Sequence, residues 1–296
     1  MTESSLPSSP PNSARADQGA IDALYVDLHS HSTASDGAVA PAEVVRAAKA
    51  AGLGAIALTD HDTIDGVEAA RVAGAELGIR VISGCELSAH EGSHEIHLLA
   101  LHVSRADRLA PRLVEFRQQR VDRAKEMVRK LNVRGVGITF DDVLRAADGG
   151  AVGRPHVARA LIERGDVTDS REAFERYLGF GRVGYVPKPQ LSVRDAIQMA
   201  HDGGALAIWA HPSKEGSRSA IMRLVDAGLD GVEVRHPSHS PDDVQRIARL
   251  VEEFGLVPSG GSDWHGATDG YRVLGNMNVP ISWLELQDQR LAHQAA

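Results

Sequence analysis

Asp27-Leu28-His29-Ser30-His31-Ser32-Thr33-Ala34-Ser35-Asp36-Gly37 decides how this chain is read. Leu24 to Leu28 form a short apolar strand, and His29 and His31 stand two apart at its end. Side chains two apart on a strand share a side, so both imidazoles reach one ion. Asp36 follows in a Ser/Gly-rich turn and offers a carboxylate to the same ion or to a neighbour. A His-x-His pair alone is a weak signal, because paired histidines are often surface residues. Its weight here comes from what ends the other strands.

Pro41 to Ala51 reads as a helix, with Val44, Val45 and Ala48 on one face and Gly52 as its stop. Gly54 to Thr59 is an apolar run of buried-strand type that ends in Asp60-His61-Asp62. A second helix spans Gly66 to Leu77 and stops at Gly78. Arg80 to Gly84 is a third strand leading to Glu86, and Ile96 to Leu101 a fourth containing His97. Further along, helices at Ser192–His201, Ser219–Ala227 and Pro241–Phe254 alternate with strands at Ala205–Ala210, Gly231–Val234 and Leu256–Ser259. Those strands lead to His211, to His236, and to Asp263 with His265. Strands alternating with helices predict an α/β fold on a parallel sheet. In a parallel barrel every strand C-terminus opens on one face, and that face carries the active site. Scattered polar loop residues would not account for seven segments that each deliver His, Asp or Glu there.

Between residues 105 and 190 the alternation breaks. Leu109, Leu113, Phe116, Arg120, Ala124, Met127 and Leu131 follow the spacing of one helix face from Leu109 to Leu131. Shorter helices follow at Asp141–Ala147, Gly153–Arg164 and Ser170–Leu178, without a buried strand. The predicted organisation is a disordered tail over 1–20, a barrel in two parts over 21–104 and 191–296, and a helical insertion over 105–190 capping the substrate side. Residues 105–134 carry ten Lys/Arg and four Asp/Glu, while the whole chain of 296 residues has a net charge of −8. Basic residues are therefore concentrated in the insertion. The overall negative charge argues against a protein that coats nucleic acid non-specifically, but not against an enzyme acting on nucleotides. Aromatic content of 4% predicts a core of Ala, Val, Leu and Ile. The single cysteine, Cys85, forms no intramolecular disulfide and fits a reducing compartment. No apolar run is long enough for a membrane span, and the Ser/Pro-rich start has no secretory h-region. A cytoplasmic protein without a membrane or a stable protein partner is expected.

Imidazole with carboxylate and no thiolate suits manganese, iron or zinc in a hydrolytic site. Glu86 can bridge two ions through its two oxygens. Two or more ions clamp a phosphoryl oxygen and generate hydroxide near neutral pH, which is the chemistry of phosphoester hydrolysis.

His29-Ser30-His31, Thr59-Asp60-His61-Asp62, Gly84-Cys85-Glu86, His97, Ala210-His211-Pro212 and Ser262-Asp263-Trp264-His265 resemble the motifs of the polymerase-and-histidinol-phosphatase (PHP) superfamily. The resemblance covers nearly the whole chain after residue 24. It implies a distorted seven-stranded (βα) TIM-like barrel with a trinuclear metal centre. By motif, His29, His31, Glu86 and Asp263 would hold the first ion. Glu86, His97 and His211 would hold the second, and Asp36, His61 and His265 the third. Three divalent ions are implied, manganese favoured over iron or zinc. Gly153-Arg154-Pro155-His156 and Glu233-Val234-Arg235-His236-Pro237-Ser238-His239 resemble a subgroup of nucleoside 3′,5′-bisphosphate phosphatases and 5′-to-3′ exoribonucleases.

Arg154 and His156 lie at a helix start, where free N–H groups favour phosphate, and Arg binds phosphate oxygens bidentately. Against this stand a solvated arginine and a capping histidine. His236 is a candidate for substrate phosphate or for protonating the leaving oxygen. Lys188 is either a phosphate contact or a plain surface lysine. Arg120, on an otherwise apolar stripe, either snorkels or aims at the barrel mouth. Asp60 is expected to orient a histidine ligand, Cys85 to be a small core residue, and His90, His94, His102, His201, His239 and His293 to be structural. The expected activity is metal-dependent hydrolysis of nucleoside 3′,5′-bisphosphates or of the 5′ end of short RNA. A metal-bridging hydroxide would attack phosphorus. The competing readings are a phosphatase of another small phosphomonoester, such as histidinol phosphate, and a non-catalytic metal-stabilised nucleotide-binding domain.

Overall fold

A computed structural model describes residues 25–92, 94–147, 152–187, 191–268 and 270–294. The tail expected over 1–20 and Lys188 lie outside these residues. The first half runs β1 (Tyr25–Asp27), α1 (Pro41–Ala50), β2 (Ala55–Leu58), α2 (Val67–Leu77), β3 (Arg80–Glu91) and β4 (His94–Leu101). The insertion holds α3 (Ala106–Asn132), α4 (Phe140–Ala147), α5 (Arg154–Glu163) and α6 (Ser170–Ala173), which continues in a π turn over Phe174–Leu178. The chain then returns through α7 (Val193–Asp202), β5 (Leu206–Trp209), α8 (Arg218–Asp226), β6 (Gly231–Arg235), α9 (Pro241–Glu253), β7 (Val257–Gly260), β8 (Val279–Pro280) and α10 (Ile281–Gln294). No helix among the described residues is long and apolar enough to cross a membrane.

The local reasons are those the sequence carries. Pro41 opens α1 with Glu43 in its first turn and Lys49 in its last, which suits the helix dipole. Gly78 ends α2 at φ +63°, a left-handed stop that glycine takes without steric cost. Ser240 accepts a hydrogen bond from Asp243 N–H, and Asp243 accepts one from Ser240 N–H, closing a capping box on α9.

The strands form one sheet in the order β7-β6-β5-β4-β3-β2-β1-β8. Leu28 N–H donates to Gly260 O at 3.0 Å, so the end of β1 meets the end of β7 and the sheet curls into a nearly closed barrel. Gly261 makes that approach possible: a Cβ there would lie 2.4 Å from both N and Cβ of His29. Two expectations need correction. Among the described residues the strands number eight, because the two-residue β8 pairs antiparallel with β1. The sheet is mixed, because β4 runs antiparallel to both β3 and β5. Glu86 and His97 are therefore not strand-end residues. Glu86 sits inside a long β3, and His97 lies near the start of the returning β4, opposite Ser88. Reversal of β4 brings its beginning, not its end, to the rim where the parallel strands finish.

Alternation along β3 and β4 sorts the side chains. Cys85, Leu87, Leu98 and Ala100 pack outward with α7, α8 and α9, while Leu99 and Leu101 join the apolar barrel interior with Val26, Leu28, Ala57 and Ile208. Cys85 is thus a core residue on the face opposite Glu86. A separate core, from Ala124 to Leu178, holds the insertion together. The two bodies share α3: Leu109 and Leu113 pack into the barrel's outer core, and Ala124, Met127 and Leu131 into the insertion.

Candidate metal centre

Above the apolar floor of the barrel the interior turns polar. His29, His31 and Glu86 are buried together with Asp263. His29 Nε2 lies 3.2 Å from Glu86 Oε2 and 3.5 Å from Asp263 Oδ1; His31 Nε2 lies 3.2 Å from both oxygens. These four residues form one cluster of donor atoms. Tetrahedral ligands at about 2.0–2.2 Å from one ion are about 3.3–3.6 Å apart, so the spacing suits ligands of one cation. Although Nε2 of the fully buried His31 stands 3.2 Å from two carboxylate oxygens, neither of its ring nitrogens makes a well-aligned hydrogen bond. Buried imidazoles normally find one, and a metal ion would supply what is missing here. The donor set and the orphaned ring both fit a divalent metal.

The other oxygen of Glu86 faces the opposite way. Its Oε1 accepts from His97 Nδ1 at 2.7 Å and from His211 Nε2 at 3.0 Å, while its Oε2 also lies 3.3 Å from His61 Nδ1. Glu86 therefore stands between two clusters. A third comprises His31, Asp36, His61 and His265, with Asp36 at 3.3 Å from His265 Nε2 and 3.7 Å from His61 Nε2. All nine expected ligands thus come together, and His31 lies close to two of the clusters.

His211 and Asp263 both adopt left-handed backbone conformations, at φ +34° and +52°. Such strain at non-glycine residues persists only where surrounding bonds over-determine it. His211 N–H donates to Glu233 Oε2 at 2.7 Å, and Asp263 N–H donates to His29 O at 3.0 Å.

The carboxylates and imidazoles of the clusters shift one another's titration. Burial would lower the His29 pKa, but Glu233, Glu86 and Asp263 push it well above its usual value. Burial likewise opposes protonation of His31, yet Asp263 and Glu86 raise it to about 9; His97, beside Glu86 and Glu95, rises to about 10. Burial would raise the carboxyls of Glu86 and Asp263, and the histidines around them hold both well below the ordinary range. A metal entering this site would displace protons from imidazoles, so its affinity rises with pH.

Three supporting residues escaped the sequence reading as site residues. Glu233, fully buried in β6, accepts from His29 Nδ1 at 3.2 Å and from the His211 amide, orienting two histidines at once. Its signal was a lone carboxylate in the apolar strand Gly231-Val232-Glu233-Val234. Arg272 pairs with Asp263 Oδ2 at 2.8 Å. Buried Asp27 accepts from the amides of Ser262 and Gly275, pinning the loop that carries Asp263. Asp60 does not orient a histidine as expected; it accepts from Ser32 N–H and from the hydroxyls of Ser32 and Ser35, fixing the loop between His31 and Asp36.

A cavity of about 570 Å³ opens over the clusters, lined by Asp36, His61 and His97 from the barrel and by Arg120, His156 and Arg159 from the insertion. Arg120 reaches the barrel mouth and pairs with fully buried Asp62 at 2.8 Å. Gly153 N–H donates to His156 Nδ1 at 3.0 Å, so His156 caps α5 and its Nε2 carries the ring proton. Arg154 does not line this cavity: its guanidinium lies over the Phe174 ring, 5.6 Å from the centroid. Arg159, on the same helix, lines it instead. His236 is buried beside the centre; its Nδ1 accepts from Ser238 N–H at 3.1 Å, and its Nε2 faces Asp263 Oδ2 at 3.4 Å. His29, Glu233 and His236 form a fourth potential ligand cluster.

The model of the PHP domain matches residues 27–182. A 3′,5′-nucleoside bisphosphate phosphatase of Chromobacterium violaceum is 38% identical over 88% of this chain and 96% of its own length. A 5′-3′ exoribonuclease of Haemophilus influenzae is 36% identical over 88% of this chain and 92% of its own. A solved Bifidobacterium adolescentis protein, assigned to the metal-dependent phosphoesterases, superposes with a TM-score of 0.73 at 29% identity, covering 90% of this chain and 96% of that one.

Proposed function

This chain belongs to the PHP domain family and is a metal-dependent phosphoesterase, and on that premise we propose that it hydrolyses the 3′-phosphate of nucleoside 3′,5′-bisphosphates and the 5′-terminal linkage of short RNA. The observation that carries this reading is a run of donor clusters joined by Glu86 beneath a cavity whose far wall is cationic. His29, His31, Glu86 and Asp263 would hold one ion, Glu86, His97 and His211 a second, and Asp36, His61 and His265 a third. Manganese suits this N/O set, with iron or zinc as alternatives. When bound, such ions supply Lewis acidity and bring the pKa of water towards neutrality.

The chain's own residues do the rest. Glu233 fixes the ring orientation of His29 through Nδ1. His236, with Nδ1 engaged by the Ser238 amide, carries its ring proton on Nε2 beside Asp263, and would turn it from that carboxylate to a phosphoryl or leaving oxygen bound at the centre. Residues 105–190 act as a cap. From it, Arg120, Arg159 and the Nε2–H of His156 face the cavity and suit an anionic substrate. Arg154 and Arg123 stand further out, where a second phosphate or the next nucleotide would lie. Burial, with Arg154 and Arg120 nearby, pushes Arg123 down to about 10 against the opposing pull of Tyr185 and Glu95. Loss of turnover on such substrates in Asp263→Asn supports the reading, and full turnover in that variant refutes it.

A further inference from the structure

The cap carries an aromatic pair that the metal centre does not use. Phe180 is 87% exposed, more than any other large apolar side chain among the described residues. Its ring meets Tyr185 edge-on, with centroids 5.4 Å apart and planes at 67°. This exposure is built in. Gly179 N–H donates to Phe174 O at 2.8 Å, Arg182 N–H to Gly179 O at 3.0 Å, Gly184 N–H to Tyr177 O at 2.8 Å and Tyr185 N–H to Arg182 O at 2.9 Å. Gly181 turns the chain at φ +73° immediately after Phe180. A well-bonded turn therefore holds an apolar ring in water.

Two cations flank Tyr185. Lys130 Nζ donates to Tyr185 O and Arg123 Nε to Val186 O, both at 2.9 Å. Arg123 lies within electrostatic reach of Tyr185, Arg154 and Arg120, and Arg120 lines the cavity. Arg120 and Arg123, three residues apart on α3, occupy neighbouring positions on one helix face. A basic and aromatic track thus leads outward from the cavity. Exposed rings beside guanidinium groups are the combination that binds single-stranded nucleic acid without sequence preference, because every base has a face to stack. A mononucleotide in the cavity would leave this track bare.

We propose that Phe180 and Tyr185 form a stacking platform for the second base of a single-stranded RNA whose 5′ end lies in the cavity, with Arg123 and Arg154 beside the linking phosphate. This rests on the reading of the site as a nucleotide phosphoesterase and names oligonucleotides as its favoured substrate class. A protein or lipid partner would not need the continuous line of cations into the cavity.

The test is the ratio of kcat/KM on a 5′-phosphorylated trinucleotide to that on adenosine 3′,5′-bisphosphate, for the full chain and for Phe180→Ser and Phe180→Trp. The ratio falls at least about fivefold in Phe180→Ser, mostly through KM, as expected for the loss of one base–aromatic stack, and is kept in Phe180→Trp. A second measurement needs no turnover: a phosphorothioate-linked trinucleotide with 2-aminopurine at its second position is quenched on binding, and the quench is lost in Phe180→Ser. An unchanged ratio and quench overturn the platform while leaving the phosphoesterase reading intact. If neither substrate is hydrolysed, that reading fails, and the quench still decides the platform.

Discussion

Arg120 is the joint between cap and centre, and its replacement by Met isolates what that joint does. Asp62 is fully buried beside His61, in a left-handed conformation at φ +51°. Its carboxylate accepts from Ser88 N–H at 2.9 Å and Ser88 Oγ at 3.1 Å, and from the Arg120 guanidinium at 2.8 Å. Breaking a buried ion pair by removing one partner costs about 3–5 kcal/mol when both groups are sealed from water. Here Arg120 retains 17% exposure and Asp62 keeps two hydrogen bonds. The expected loss is therefore about 2 kcal/mol, scaled from that range. For a chain of this size, 1 kcal/mol shifts Tm by about 2 °C, so Arg120→Met melts about 4 °C lower. Thermal unfolding by circular dichroism, run on Arg120→Met, Asp62→Asn and the double variant, separates the pair from its surroundings. The account predicts that the double variant is more stable than the sum of the single losses by about 1 kcal/mol or more. Additive losses, or a single-variant shift below about 1 °C, would refute the coupling of the cap to the His61 loop.

The remaining predictions concern the centre, the barrel seam and one remote pair. Glu86→Gln removes the residue shared by two clusters, and elemental analysis of the purified protein is expected to find both ions lost together rather than one. Glu233→Gln, at a fully buried position, is expected to weaken metal affinity by about 10- to 100-fold, because the orientation of His29 is lost; unchanged affinity would contradict its positioning role. Gly261→Ala drives a Cβ to 2.4 Å from His29 N and should lower stability by about 2–3 kcal/mol, read from the denaturant midpoint. His201 donates from Nε2 to Asp230 at 2.8 Å, a hydrogen bond that raises its pKa above 6.5. Its contribution is full below 6.5 and is lost as pH rises through the higher folded value. The Tm gap between the parent and His201→Gln should therefore be wide at pH 5.5 and narrow at pH 9, and the opposite trend would exclude the pair as its source.

Much of this molecule is written in local pattern. Glycine stops, Pro41 and Ser240 at helix starts and the apolar runs before His29, Asp60 and His211 mark the parallel βα units because each is a short-range effect. His29, His31, His61, His211, Asp263 and His265 stood out because strand ends converge in a barrel, whereas Asp36 in its turn, Glu86 inside β3 and His97 near the start of β4 joined the expected ligand set through the family resemblance. What escaped depends on longer-range geometry. The run Ile96–Leu101 has the same hydrophobic pattern whichever way it points, so the reversal of β4 left no trace beyond Gly92 at the hairpin. The two-residue β8 is too short for any period to register, and α10 buries Leu284 and Gln287 without a clear apolar stripe. Arg154 shows the limit on a helix: one residue turns a side chain by about 100°, enough to exchange the cavity for Phe174. Glu233 acts through His29 and His211, partners 204 and 22 residues away, so its role appears only when the barrel closes.

The central claim is that this centre removes phosphate from a nucleotide carrying two of them. Inorganic phosphate release from adenosine 3′,5′-bisphosphate, measured beside release from AMP with manganese present and again after chelation, tests it most directly. The account predicts fast, chelator-sensitive release from the bisphosphate and little from AMP. Equal or negligible release from both would contradict it, and histidinol phosphate would then be the substrate to try on the same metal site.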